Sequence, residues 1–177
     1  MSDTQFKFAM GATTAALFLG AIGLNEVLFA RMEFAQGISW VYLPAGVRLL
    51  CTLLFAEAGA AGILVAGWLI CFFYFFPDDP LRSFAGGIIG ALAPYLTYRV
   101  LVASRIGTSL EGLGPLRLLG CAAAFSLASP ALHHLWFALQ GQREGLVDGF
   151  LVMASGDFIG TLIVLYVAKL IISMRRK

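Results

Sequence analysis

Long apolar stretches follow one another through this chain with only short polar breaks between them, and that leaves one kind of fold open. A transmembrane helix needs about 20 apolar residues to cross a hydrocarbon core about 30 Å thick. By that measure about six spans consume most of the 177 residues. The predicted spans are Phe8–Phe29, Ile38–Phe55, Ala60–Phe76, Leu81–Val102, Leu116–Leu139 and Leu146–Ser173. The fold class is therefore all-α, a polytopic transmembrane helical bundle. The whole of 1–177 is read as one integral membrane domain embedded in a lipid bilayer. Only 12% of the residues are charged, about half the usual fraction of a soluble domain.

Several function classes fall away. No basic run interleaved with aromatics points to nucleic acid. Cys51, Cys71 and Cys121 all lie inside apolar stretches without CxxC or Cys/His spacing, so neither a disulfide framework nor a metal centre is expected. No nucleophile elbow, HExxH or phosphate-cradling glycine loop is present. The chain is not expected to be an enzyme, and no cofactor is implied. The first apolar run is too long for a signal-peptide core and should remain as a span.

The breaks carry helix-end chemistry. Asp79 is suited to an N-cap with Pro80 at the first helical position, and Pro115 reads as another first helical residue. Phe72 to Phe76 form an aromatic cluster of the kind found at membrane interfaces. Gly86 and Gly90 make a small-xxx-small face for helix packing, and the Ala/Gly-rich body of span one offers another. Tyr95 and Arg99 share a face by four-residue spacing.

Lys and Arg placement sets an orientation. Lys7, Arg99, Arg105, Arg117, Lys169, Arg175, Arg176 and Lys177 fall on one side, and Arg31, Arg82 and Arg143 on the other. The cytoplasmic bias of basic residues then puts both termini inside.

Span two holds the most unusual stretch. Pro44 lacks an N–H, and it either kinks a helix or marks its start. Gly46 loosens the same turn, and Arg48 lies about 15 Å below the outer surface at helical rise. Asp157, in span six, lies at a similar depth. A charge at mid-bilayer costs at least about 2.5 kcal/mol on insertion scales, so Arg48 and Asp157 are predicted to pair or to share a polar ligand or water. His133 and His134 lie nearer the outer surface, with Asn25 and Glu26 at a comparable level. Trp40, Tyr42 and Trp136 could wall the same region. Adjacent helical positions point about 100° apart, which disfavours one metal between the two histidines. The candidate ligand-binding residues are thus Arg48, Asp157, Pro44, Gly46, Trp40, Glu26, Asn25, His133 and His134, around a pocket in the outer half of the bundle. The structural alternatives are a clasp between Arg48 and Asp157, and Glu26 snorkelling to water.

At Leu43-Pro44-Ala45-Gly46 and at Gly156-Asp157-Phe158-Ile159-Gly160-Thr161-Leu162, the chain resembles the MASE1 family, integral-membrane sensory domains of bacterial signalling proteins. Its members carry a Trp-Pro-Pro-Ala-Gly-like stretch early and a Gly-Asp-x-x-Gly-x-Leu-like stretch late. Here Trp40 stands further upstream, one proline is present, and about six spans replace the family's about eight. The resemblance implies a sensory, ligand-binding module that signals through a partner, since no kinase or cyclase segment follows. It puts weight on Pro44, Ala45, Gly46, Gly156, Asp157 and Gly160. Two other readings stand beside it: a substrate-binding or small transporter subunit for a small molecule, vitamin or metal, and a purely structural subunit.

Overall fold

A computed structural model describes residues 2–104 and 114–174. Among them are five long helices: α1 (Asp3–Phe29), α2 (Leu43–Ile70), α3 (Pro80–Ala103), α4 (Pro115–Leu139) and α5 (Leu146–Met174). All five are long and apolar enough to cross a membrane, and the chain is a membrane protein of the all-α class. A two-stranded hairpin, β1 (Glu33–Ala35) and β2 (Ile38–Ser39), joins α1 to α2 where a plain loop is predicted. Arg105 and Glu111 in the α3–α4 connection, and Arg175 to Lys177, lie outside the described residues.

The helix ends follow local chemistry. Ser2 and Gln5 form a reciprocal capping box that starts α1 at Asp3, earlier than the apolar run predicts. Asp79 Oδ1 accepts the Arg82 N–H at 2.9 Å, with Pro80 opening α3, and Pro115 opens α4 in the same way.

Most of the predicted spans two and three falls in α2, which starts later than span two, at Leu43, and ends earlier than span three, at Ile70. Their boundary is Ala56, whose φ of 50° and ψ of −125° leave the helical region. A continuous helix would hold Cys51 and Gly59 about 12 Å apart. Instead a Cβ on Gly59 would overlap the Cys51 carbonyl oxygen. The chain therefore doubles back at Ala56, and α2 is a helical hairpin with two antiparallel arms. The second arm ends in a π-helical turn, Cys71–Phe75.

The first arm is the central rod. Ala45, Leu49 and Leu53 share a buried cluster with Ala93, Leu101, Leu118, Phe125 and Leu165, from α3, α4 and α5. The second arm packs between α1 and α3. Gly62 receives the Gly11 carbonyl and Thr14 of α1, and Gly67 lies against Gly87 of α3. The Ala/Gly face of α1 is thus partly spent within the chain. On α3 the predicted Gly86/Gly90 face is divided. Gly87 makes the close approach, under Trp68, while Gly90 faces the Arg48 guanidinium. Large aliphatics on the outside, such as Val27, Val100, Leu116 and Ile171, are exposed. In a membrane protein that surface is solvated by acyl chains.

Candidate functional site

The site begins with a break in regular structure. Span two is predicted to be helical from Ile38, with a kink at Pro44 to Gly46. Instead residues 38–42 are extended or bent, and the helix starts at Leu43 with Pro44 in its first turn. Proline has no N–H to lose there. Non-helical backbone at membrane depth persists only where protein satisfies its polar groups. Here three donors are placed: Trp40 N–H on Met32 O at 2.9 Å, Tyr42 N–H on Gly156 O at 3.1 Å, and Leu43 N–H on Asn25 Oδ1 at 2.9 Å. Asn25 is buried and spent on this contact, so it supports the break rather than lining a pocket.

The extended stretch lies in a channel cut by glycines. A Cβ on Gly156 would strike the Ser39 carbonyl oxygen, and one on Gly160 the Tyr42 carbonyl oxygen. One turn on, a Cβ on Gly46 would come within 2.6 Å of Val164 Cβ. The spacing that usually brings two helices together here admits a non-helical chain, and that contact sets the first arm against α5.

This docking brings Arg48 to Asp157. Arg48 Nη2 lies 3.5 Å from Asp157 Oδ1, with the residues 4% and 0% exposed. The contact is long for a charge-assisted hydrogen bond. Arg48 Nε and Asp157 Oδ2 have no hydrogen-bond partner. The guanidinium is flanked by the rings of Tyr42 and Phe125, each 5.6 Å from its central carbon.

Beside Arg48 is a cavity of about 80 Å³ lined mainly by the α2 hairpin, α3, α4 and the β-hairpin, with Phe18 of α1 and Met153 of α5. Its polar lining is Arg48, Arg82, His133 and Gln36; aromatic walls include Phe18, Tyr42, Phe75 and Trp136. His133 Nδ1–H donates to Ser129 O at 2.8 Å, because a carbonyl can only accept. Its Nε2 is then left as the acceptor in the neutral ring. Gln36 Nε2 donates to the Phe75 carbonyl, which ties the β-hairpin to the end of the second arm.

The other predicted site residues lie elsewhere. Asp157 stands behind Arg48, and neither it nor Pro44 nor Gly46 is among the cavity-lining residues. Trp40 is 48% exposed and off the cavity. Glu26 is half-buried beside Tyr74. His134 is turned away by its helical position: it donates to Pro130 O at 2.9 Å and packs edge-on against Phe137 and Phe150.

Two lining residues have no place in the predicted site. Arg82 counts in the sequence only as a loop-side charge, yet it is half-buried. Its guanidinium sits 4.0 Å over the Phe76 ring and 5.4 Å from that of Phe137. Its position three residues after the Asp79 cap, next to the aromatic cluster, was the available signal. Gln36 carried none. Among the described residues no cluster of three or more His, Cys, Asp or Glu is arranged to hold a metal.

The chain matches no family model, and neither a curated protein nor a solved structure matches it.

Proposed function

We propose that this chain is a membrane-embedded ligand-binding module of the sensory, MASE1-like kind, crossing a bacterial inner membrane about six times with both ends in the cytoplasm. The α2 hairpin supplies two of those crossings. The observation that supports binding is the cavity between the hairpin, α3 and α4, with charged and polar groups in an otherwise apolar wall. Buried ionisable groups are costly in a membrane, and their presence beside a cavity is what a polar ligand site requires. The first arm touches both this cavity, through Arg48, and α5, through Gly46 and Asp157. Occupancy that favours one setting of this arm over another would pass a signal to a partner protein, provided the ligand binds the two settings unequally.

The test is a panel of small charged and neutral solutes applied to the protein in lipid nanodiscs and in sealed vesicles. Sensing predicts thermal stabilisation by some solute without accumulation inside vesicles. Ile89→Trp, which fills the cavity from α3, should abolish that stabilisation. Accumulation would support the transporter-subunit reading instead, and no response to any solute would leave the structural one.

The orientation has its own check. A cysteine in place of the exposed Asp79 should react with an impermeant maleimide in intact cells. Reaction only after lysis would invert the topology.

A further inference from the structure

Two guanidiniums line the cavity, and one of them has a counter-charge behind it. Arg48 has Asp157. Arg82 makes no ion pair among the described residues; its nearest acid, Asp79, uses Oδ1 to cap the α3 backbone. The Nε atoms of both arginines are buried without a hydrogen-bond partner. The two cations act on one space: Cys71 and His133, on different walls, each lie within electrostatic reach of both. No carboxylate is among the lining residues. The cavity therefore carries an excess positive charge behind aromatic walls, where water screens it poorly.

Resting on the binding-module reading, we infer that this cavity takes a small planar oxyanion, of the carboxylate class, held between Arg48 and Arg82. Guanidinium groups present paired N–H donors that match the two oxygens of a carboxylate, and such charge-assisted bonds are the strong ones. A carboxylate would neutralise the surplus charge and give the guanidiniums a matching acceptor. Size restricts the class further. A cavity of about 150 Å³ accommodates benzene, and one water's share of liquid volume is about 30 Å³. At about 80 Å³ the space suits an anion of a few heavy atoms, such as formate or acetate, better than an aromatic acid. His133, its Nδ1–H committed to Ser129, turns no donor to the anion in its neutral form, so the two arginines supply the charge-assisted contacts.

Acetate and acetamide have nearly the same shape and differ in charge, so they separate this inference from the reading beneath it. Both are titrated into the protein in nanodiscs of zwitterionic lipid, at ionic strength held constant with chloride, with calorimetry and melting temperature as readouts. Acetate should bind and raise the melting temperature, and acetamide should not. Arg82→Gln should weaken acetate roughly tenfold or more, one guanidinium–carboxylate contact being lost. Arg82→Lys, which keeps the charge without the fork, should fall between and serves if the glutamine variant does not fold. Equal binding of the two solutes would overturn the anion assignment while leaving a binding cavity. Acetate binding unchanged in both Arg82 variants would overturn it as well. Binding of neither, together with stabilisation by some other member of the solute panel, would overturn the anion alone; silence across the panel would remove both.

Discussion

Arg48→Gln should destabilise the protein by about 3–5 kcal/mol, the range found when one partner of a buried ion pair is removed. The loss would come less from the bond than from what it leaves. Asp157 is 0% exposed, its Oδ2 has no hydrogen-bond partner, and Arg48 is its only ion-pair partner among the described residues. Asp157→Asn should cost a comparable amount, because the guanidinium would then be the uncompensated charge. The double variant removes both charges and should recover part of the loss, leaving it well short of the sum. Unfolding by denaturing detergent in mixed micelles measures all three. Losses that add within about 0.5 kcal/mol would mean that the pair is not coupled. The 3.5 Å separation makes this a sharp question, since the contact stands at the limit of hydrogen bonding.

Gly156→Ala and Gly160→Ala should each cost about 3 kcal/mol or more. Overpacking a core typically costs about 1–3 kcal/mol, when side chains can shift to absorb it. Here the new methyl group would meet carbonyl oxygens of Ser39 and Tyr42, and backbone cannot rotate away. Displacing residues 38–42 would also strip the Tyr42 N–H from Gly156 O and the Leu43 N–H from Asn25. The control is Gly20→Ala or Gly23→Ala in α1, where nothing lies within 4 Å of the added carbon. Those changes should be neutral or slightly stabilising, since alanine is the better helix former. If all four variants behaved alike, the channel on α5 would not be what holds the first arm in place.

Much of this architecture is written along the chain. Hydropathy and length fix a helical membrane protein, and the ends of α3, α4 and α5 fall within a residue or two of the predicted ones. The proline and Asp79 signals work because they are local: a cap or a missing N–H acts within one turn. The matched depth of Arg48 and Asp157 was also legible, because helical rise converts residue counts into distance. The break between predicted spans two and three, residues 56–59, contains the turn of the second helix. Within that break the reversal occurs at Ala56, a residue with no turn preference of its own. Its left-handed backbone is imposed by the packing of the two arms.

The sequence by itself determined the solvent this protein lives in, the extents of α3, α4 and α5 and the depth at which Arg48 and Asp157 had to be sheltered. Only the tertiary structure decided that Gly156 and Gly160 receive an extended strand, that Arg82 joins Arg48 around one cavity, and that Asn25 closes a backbone break. The reason is that an apolar helix is nearly as greasy on every face. Polarity sets how deep a residue lies, but which neighbour it meets depends on rotation and on backbone that leaves the helix. Both are settled by contacts between stretches far apart in the chain.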